Sequence, residues 1–467
     1  MSSINTAVKA LLHTSLGTGL ISIPFFYKNN GIILSVVLLT FSYLMSTTGL
    51  ILQCQLSNWL PTLTTKRKLS FKSIGDLLFD NNSNKIVLFD IAIAIKCFGV
   101  SISYLIVIGD LMPQILHYFA PKLDINRTIF ISFSLFCIIM PLCFIKKISS
   151  LKRFSMVALI SVVYLCFMII INAFVYKDND QKGKIYWAKP KKSYKDINFL
   201  TSFPISVFAF TCQHNTFSIF NELKASNFNN FSKIVVRAMS LALVIYLTVG
   251  TLGYLTFGDN VESNIIKMYE MNNFFNVLGR FCIVVLVTLA YPLQMYPCRL
   301  SIFNIYNHFQ NKKSFNSLQQ VDTNESVTLL NEEELNLEQQ ANSSHLEIPD
   351  LLFKVITISV IIIGFFIAIS LTNLGLVLGF IGGTGSTLIA FILPGLFSYL
   401  LFSRIESDPE FIKDVLIKDT NIKNYEDEIV QVGSIKHWKL LSLCLIVYGI
   451  CIMIFANIGI IYKILHQ

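Results

Sequence analysis

Apolar runs of about twenty residues recur along the whole chain, and this pattern limits its fold more than any other feature. A helix rises about 1.5 Å per residue, so such a run crosses the roughly 30 Å hydrocarbon core of a bilayer. Only 14% of the residues are charged, whereas a soluble domain usually carries about 25%. The pattern therefore predicts an all-α polytopic membrane protein. The alternating segments typical of membrane β-barrels do not occur in the sequence.

About eleven transmembrane helices are predicted from these runs, in a single membrane domain over residues 1–467. They cover about 7–27, 31–56, 85–112, 128–145, 154–176, 201–221, 234–257, 273–298, 351–372, 375–402 and 437–462. Polar loops are predicted at 57–84, 177–200, 300–350 and 403–436. The segment 300–350 is acidic and rich in Asn, Gln and Ser, with few aromatic residues, so we expect it to be disordered.

The distribution of basic residues predicts the orientation in the membrane. Loops on the same side of the membrane as the amino terminus contain more Lys and Arg than loops on the opposite side. Loops rich in Lys and Arg stay in the cytosol. The amino terminus and the loops 57–84, 300–350 and 403–436 are therefore predicted to be cytosolic. The loop 177–200 is an exception, because it lies on the opposite side and contains seven lysines. An odd number of spans places the carboxyl terminus on that opposite side.

Several other classes of protein are excluded by the sequence. The net charge of +9 does not indicate a nucleic-acid partner, because the basic residues are dispersed among loops and no RNA-binding signature occurs. HExxH, GxSxG and paired catalytic carboxylates are absent, so an enzyme is not expected. The ten cysteines lie in or beside apolar segments and form no CxxC pair. We expect no metal and no cofactor, and the lipid bilayer as a partner.

The first span contains residues that do not suit a continuous helix. Its centre reads His13-Thr14-Ser15-Leu16-Gly17-Thr18-Gly19, and a proline follows at position 24. Gly and Pro are poor helix formers, and Ser and Thr side chains compete for backbone groups. A break in lipid survives only inside protein or beside a wet cavity, because its backbone groups need partners. We predict a break near Gly17, Thr18 and Gly19, whose bare N–H groups would hold a carboxylate.

The sixth span contains a second polar stretch, Thr211-Cys212-Gln213-His214-Asn215-Thr216, which follows a half rich in Phe and Ala. Polar groups at bilayer depth are costly and are functional by default. The alternative is that they bind neighbouring helices and hold the bundle together. We predict a break here too, with free carbonyls near Phe210 and Thr211 that would hold an ammonium group.

The two predicted breaks are five spans apart. Carriers built from a 5+5 inverted repeat break the first helix of each repeat and bind their substrate near the midplane. An amino acid carries a carboxylate and an ammonium group on the same carbon atom, so two facing breaks suit it. The spacing therefore favours an amino acid as the substrate.

Four sets of residues also resemble the motifs of a known family. They are Leu16-Gly17-Thr18-Gly19-Leu20, Phe208-Ala209-Phe210-Thr211-Cys212-Gln213-His214-Asn215, Tyr291-Pro292-Leu293-Gln294 with Pro297-Cys298-Arg299, and Gly382-Gly383-Thr384-Gly385-Ser386-Thr387 before Phe391-Ile392-Leu393-Pro394-Gly395-Leu396. They resemble the amino acid/auxin permease family of the APC superfamily, and are most similar to the fungal vacuolar amino acid transporters. This resemblance implies a LeuT-like 5+5 core plus one helix, and secondary active transport of amino acids.

The resemblance implies a location in the cell and a substrate-binding site. The protein would lie in the vacuolar membrane, with a lumenal carboxyl terminus, and would export amino acids from lumen to cytosol by alternating access. Many relatives have two adjacent histidines where this chain has Gln213-His214, so the role of the first position is open. The predicted substrate-binding residues are Ser15, Gly17, Thr18, Gly19, Tyr104, Phe208, Phe210, Thr211 and Cys212.

Protons are the expected coupling ion. His13 lies one helical turn before Gly17, and histidine titrates near physiological pH but is a poor sodium ligand. His214 is the second candidate, and for both the alternative is a buried histidine held by hydrogen bonds. Lys96 in span three is predicted to form a structural ion pair with Asp90, with a role in coupling as the alternative.

Two further alternatives concern the long loop and the glycine cluster. An amino-acid-binding membrane sensor that signals through the 300–350 loop is the alternative function. The cluster Gly382–Thr387 lacks the lysine of a phosphate-binding loop, so we predict that its small residues allow close contact between helices.

Overall fold

A computed structural model describes residues 3–59, 70–79, 83–123, 125–145, 148–176, 182–188, 198–223, 227–318, 348–407 and 435–465. The described residues form fourteen main helical segments, with two short 3-10 helices, Gly258–Asn260 and Ile265–Met268, in one of the connections. The main segments are α1 Ile4–Ser15, α2 Thr18–Asn30, α3 Ile32–Trp59, α4 Phe71–Leu78, α5 Ser83–Phe119, α6 Arg127–Cys143, α7 Ile148–Val175, α8 Asn198–Ala209, α9 Gln213–Phe220, α10 Phe228–Phe257, α11 Phe274–Leu318, α12 Asp350–Ser370, α13 Leu374–Ser407 and α14 Ile435–Leu465.

Every predicted span has a helix in the structure. Within the described ranges, eight helices are long and apolar enough to cross a bilayer, namely α3, α5, α7 and α10 to α14. The pair α1 and α2 forms a ninth candidate, bent by 53° at its break. The predicted spans 128–145 and 201–221 correspond to the shorter helix α6 and to the pair α8 and α9, whose halves are each too short to span alone. The all-α prediction is confirmed.

The predicted loops are too long at several of their ends. Helix α11 continues through Leu318, which makes the first part of the predicted disordered segment 300–350 helical. Helix α13 continues to Ser407, and α14 begins at Ile435. Residues 319–347, 408–434 and most of 177–200 lie outside the described residues.

Helix α4 lies within the predicted loop 57–84. Its apolar residues Phe71, Ile74 and Leu78 recur at helical spacing and are buried. Ser70 and Ser73 form a capping box that fixes its first turn. The Phe71 ring packs edge-on against Phe217 of α9, with 4.9 Å between the ring centres. The sequence predicted a loop here because an apolar face of only two helical turns is too short to be recognised as a transmembrane span.

The glycine cluster of α13 allows two helices to approach closely. A Cβ atom added at Gly385 would lie 2.6 Å from Lys96 Cβ of α5, and one added at Gly382 would overlap the backbone carbonyl of Pro204 in α8. Residues 382–386 form a π-helical turn. The prediction that small residues permit contact here is therefore confirmed.

The connection between α10 and α11 packs along α2 towards the carboxyl end of that helix. Ser22 donates a hydrogen bond to the carbonyl of Ser263 (2.6 Å), and Lys28 donates to the carbonyl of Val261 (3.0 Å). The buried Arg280 of α11 donates to the carbonyls of Tyr269 and Glu270. The segment 258–273 is thus fixed over this end of the bundle.

Candidate functional site

The first break separates α1 from α2 by only two residues. Leu16 N still bonds the carbonyl of Leu12 (2.9 Å), so α1 ends regularly. Gly17 then takes φ −146° and ψ −138°, and α2 begins at Thr18. The first N–H groups of a helix have no hydrogen-bond partner within the helix. Gly17 is the residue that precedes α2, and in the described part of the chain no side-chain capping hydrogen bond forms there. The amino end of α2 therefore presents bare N–H groups inside the bundle.

The second break separates α8 from α9 at Phe210, Thr211 and Cys212, and among the described residues the carbonyl groups of Phe210 and Cys212 have donors while that of Thr211 has none. Thr211 folds back, so that its Oγ1 donates to Val207 O (2.7 Å) and its N–H donates to Phe208 O (3.1 Å). Ser46 of α3 donates to Phe210 O (2.8 Å). The prediction of a free carbonyl at Phe210 is wrong, because a hydroxyl of the neighbouring span reaches it.

Gln213 closes the amino end of α9. Its Oε1 accepts a hydrogen bond from Cys212 N (2.9 Å), and its Nε2 donates to Ser46 Oγ (2.9 Å). Ser46 in turn donates to Phe210 O, so these side chains tie both ends of the break to α3. In this chain the first position of the Gln213-His214 pair is therefore structural.

The two breaks lie face to face. A Cβ atom added at Gly19 would lie 3.2 Å from Ala209 Cα and 3.5 Å from a ring carbon of Phe208. The Tyr246 hydroxyl of α10 lies 2.7 Å from Ser15 O and 2.8 Å from Ala209 O. Its single proton serves one of these two carbonyls at a time. One tyrosine thus links the last turn of α1 to the last turn of α8.

Helix α5 forms a third wall beside the first break. A Cβ atom added at Gly17 would lie 3.4 Å from the Tyr104 hydroxyl. Thr18 Oγ1 lies 3.1 Å from Ser103 Oγ, in a buried contact. The bare end of α2 therefore faces a phenolic hydroxyl, and both are hydrogen-bond donors suited to an anion.

The structure divides the predicted binding residues into two groups. Gly17, Thr18, Gly19, Tyr104 and Phe208 lie around the bare end of α2. The other four side chains or carbonyls have structural contacts. Ser15 Oγ donates to Leu12 O, Thr211 and Phe210 are bonded as described, and Cys212 Sγ lies 3.9 Å from Met239 Sδ.

Lys96 is buried among neutral side chains. Its Nζ lies 3.0 Å from the ring nitrogens of His214 and 3.3 Å from Gln294 Oε1. Only 2% of Lys96 and 7% of His214 is exposed. Asp90 instead accepts a hydrogen bond from Asn304 (3.1 Å), and within the described residues no carboxylate forms an ion pair with Lys96. The predicted Lys96–Asp90 ion pair is wrong.

His13 lies in a different place from His214. It lines a cavity of about 170 Å³ between α1, α7 and α9, on the amino-terminal side of the first break. Its Nε2 atom is buried and has no hydrogen-bond partner within the described residues. Lys9 and Asn215 also line this cavity. The two histidines are therefore not brought together into one site.

Three of the site residues could not be found from the sequence. Tyr246, Ser46 and Ser103 are hydroxyl-bearing residues in apolar helices and belong to no recognisable motif. Their importance comes from the neighbours they meet across the bundle. The one available signal is that intramembrane polar groups need partners.

Comparison with known proteins identifies the family of this chain. The family model "Transmembrane amino acid transporter protein" matches residues 1–412. The chain belongs to this family. Vacuolar amino acid transporter 6 of Saccharomyces cerevisiae is 37% identical over 414 residues, which cover 86% of this chain and 90% of that protein. Vacuolar amino acid transporter 5 of the same yeast is 36% identical over 486 residues, which cover 99% and 98%.

A solved structure shows the same fold. The crystal structure of MhsT in complex with L-phenylalanine aligns with a TM-score of 0.58 and 9% identity, over 98% of this chain and 99% of MhsT. The LeuT-like fold class is thereby confirmed. The protein is a multi-pass transmembrane amino acid transporter and not an enzyme.

Proposed function

We propose that this transporter is a proton-coupled secondary carrier of the vacuolar membrane, which exports amino acids from the lumen to the cytosol by alternating access. The observation that carries the proposal is the bare amino end of α2, which faces Tyr104 at the centre of the bundle. The names of the yeast relatives support the vacuolar address. An acidic lumen would supply the proton gradient that drives export.

The substrate carboxylate binds at the amino end of α2. The N–H groups of Gly17, Thr18 and Gly19 point from a helix end whose dipole favours negative charge. The Tyr104 hydroxyl, 3.4 Å from the place of a Gly17 Cβ atom, adds a further donor. Charge-assisted bonds of this kind are about twice as strong as neutral ones. Since the site is shielded from water, these donors have no competing solvent.

The substrate ammonium group binds at the second break. The carbonyls of residues 207–210 already accept hydrogen bonds. In the described part of the chain, the carbonyl of Thr211 accepts none. It is therefore the acceptor we assign to the ammonium group. The Phe208 ring beside Gly19 then contacts the substrate side chain.

The release path runs along α1 and α9. The cavity lined by His13 and Asn215 opens this half of the bundle, while the segment 258–273 covers the opposite end of α2. We assign the cavity to the cytosolic side, because the excess of basic residues predicts a cytosolic amino terminus. The carboxyl terminus is then lumenal. In alternating access, the bundle of spans 1, 2, 6 and 7 rocks against the remainder.

Transport into proteoliposomes tests this function. Each amino acid is offered with an imposed pH gradient, and separately with an imposed sodium gradient. We expect uptake driven by the pH gradient, and a loss of about a hundredfold in Gly17→Val, whose side chain would block the donors and contact Tyr104. Uptake driven by sodium alone would contradict proton coupling. Uptake that Gly17→Val leaves intact would contradict the assigned site.

A further inference from the structure

The environment of Lys96 is unusual for a lysine at the centre of a membrane protein. Helix α13 presses its backbone against the lysine, because Gly385 has no side chain there. The rest of Lys96 is enclosed by His214 of α9 and Gln294 of α11. With 2% of its surface exposed, the side chain cannot reach water at a membrane interface.

Among the residues that the structure describes, the groups that face Lys96 do not include an anion. The titratable ones are His214 of α9, Cys212 of the second break and its own neighbour Cys97. Helix α11 contributes a neutral amide, and α13 contributes glycine. Within the described residues no carboxylate forms an ion pair with this lysine. A buried ammonium group without a counter-ion is costly, so a permanent charge here is disfavoured.

Lys96 and His214 are two bases within hydrogen-bond distance. An imidazole nitrogen 3.0 Å from Nζ can accept a hydrogen bond from an ammonium group or donate one to a neutral amine. Two protons would place two like charges side by side in an apolar interior, which is strongly unfavourable. The pair therefore takes up at most one proton beyond its neutral state, and the two residues titrate as a unit.

This pair is joined to the substrate site on one side and to the release path on the other. Lys96, whose Nζ lies 3.3 Å from Gln294 Oε1, shares helix α5 with Tyr104, which follows it by about two turns. His214 stands at the start of α9, and the next residue, Asn215, lines the cavity on the amino-terminal side. A shift of α9 would therefore move His214 relative to Lys96 and open the pair to the cavity.

We propose that Lys96 and His214 together carry the transported proton, and that this pair, rather than His13, couples the proton gradient to amino acid movement. This inference rests on the proposed function. The lysine amine takes up one proton from the lumenal side and becomes an ammonium group, which donates a hydrogen bond to a ring nitrogen of His214. When α9 moves, the N–H bond breaks, the proton passes to water in the cavity, and the amine becomes neutral. No other group gains or loses a proton.

The experiment separates coupling from transport itself. Purified protein in proteoliposomes is assayed with the amino acid that gives the highest wild-type uptake, and in parallel with aspartate and glutamate. The first assay measures accumulation driven by a pH gradient, together with the proton flux that the amino acid induces. The second assay measures exchange of labelled for unlabelled amino acid at equal pH, which needs the substrate site but no net proton movement.

Lys96→Met keeps the length of the side chain and removes the titratable group. We expect it to lose accumulation and induced proton flux by about tenfold or more, while exchange stays within about twofold of wild type. His214→Gln should show the same separation of the two assays. Lys463→Met, at the end of α14, is the matched lysine control and should behave as wild type. His13→Gln should keep its response to the pH gradient.

Each contrary result overturns the proposal in a distinct way. If Lys96→Met still accumulates substrate and His13→Gln does not, His13 is the coupling residue. If Lys96→Met loses exchange as well while His214→Gln keeps gradient-driven uptake, the lysine is structural. If only aspartate and glutamate uptake is lost, Lys96 is a receptor for an anionic side chain. If wild-type uptake ignores the pH gradient, the proposed proton coupling itself fails, whichever residue was chosen.

Discussion

The two broken spans have the same position in their repeats but opposite states of their backbone groups. In the first break, two residues interrupt the helix and the amino end of α2 has no cap. In the second break, three residues interrupt the helix. Ser46 and Tyr246 donate hydrogen bonds to carbonyl groups at its first end, and Gln213 accepts one from Cys212 N at its second end. A break in lipid is therefore not by itself a binding site. It binds a ligand only where its own neighbours leave backbone groups unpaired.

This difference assigns different tasks to the two breaks. The first provides donors for a charged group, while most of the second is a rigid frame anchored to α3 and α10. Changes at the first break should therefore alter substrate binding, and changes at the second should alter stability. The following predictions test that division, starting with the largest expected effect.

Gly19→Val should cause the largest loss of uptake, because Gly19 lies where the two breaks are in contact. Its Cβ would lie 3.2 Å from Ala209 Cα, and the added methyl groups would force α2 and α8 apart. We expect uptake to fall by about a hundredfold, measured in proteoliposomes at equal protein content. Gly364→Ala in α12 is the matched control, since its Cβ would meet its nearest atom at 3.5 Å, an ordinary contact. Normal uptake by Gly19→Val would show that the breaks do not have to touch.

Tyr246→Phe should affect both breaks at once. It removes the only hydroxyl that lies against Ser15 O and Ala209 O among the described residues, yet leaves the ring in place, 5.1 Å from that of Phe210. A buried carbonyl that loses its donor costs about 1–3 kcal/mol. We expect a lower thermal unfolding midpoint together with an uptake loss of about tenfold. Tyr43→Phe, whose hydroxyl bonds Ser240, is the control and should change neither quantity appreciably.

Tyr104→Phe and Ser46→Ala should separate binding from stability most clearly. Tyr104→Phe removes a donor from the first break, so KM should rise by about tenfold with little change in the unfolding midpoint. Ser46→Ala removes the donor to Phe210 O, so the midpoint should fall by an amount that corresponds to about 1 kcal/mol, with KM unchanged. The opposite assignment of the two effects would reverse the roles proposed for the breaks.

Thr211→Val should have the smallest effect. The hydroxyl of Thr211, in the second break, donates to Val207 O in the last turn of α8, and valine keeps the shape of the side chain. We expect a loss of stability of about 0.5–1 kcal/mol and uptake within about twofold of wild type. A large rise in KM would mean that this hydroxyl contacts the substrate directly, which would weaken the contrast between the two breaks.

The sequence predicted the spans well and the short amphipathic element poorly. Long apolar runs identify spans because a bilayer demands about twenty apolar residues in succession. Helix α4 was not predicted because its only apolar face consists of Phe71, Ile74 and Leu78. These residues are buried only because the helix packs against the bundle. The far ends of α11 and α13 were missed for a similar reason, since polar residues do not stop a helix that is already formed.

Within the site, the sequence located both breaks but not the state of their backbone groups. Gly17, Gly19 and the polar stretch 211–216 contradict a continuous helix, and this conflict is visible without coordinates. Whether the carbonyl of Phe210 is free depends on Ser46, which lies 164 residues away in the chain. In the same way, the partner of Lys96 could not be chosen correctly from the position of Asp90 alone.

The sequence by itself determined that the protein is an all-helical membrane protein with two interrupted spans, because hydropathy and helix propensity are local properties of the chain. Only the tertiary structure decided which interruption stays open, which is filled, and that Lys96 meets His214 instead of a carboxylate. The physical reason is that hydrogen bonds in a bilayer are satisfied by whichever helices pack together, and packing joins residues that are distant in sequence.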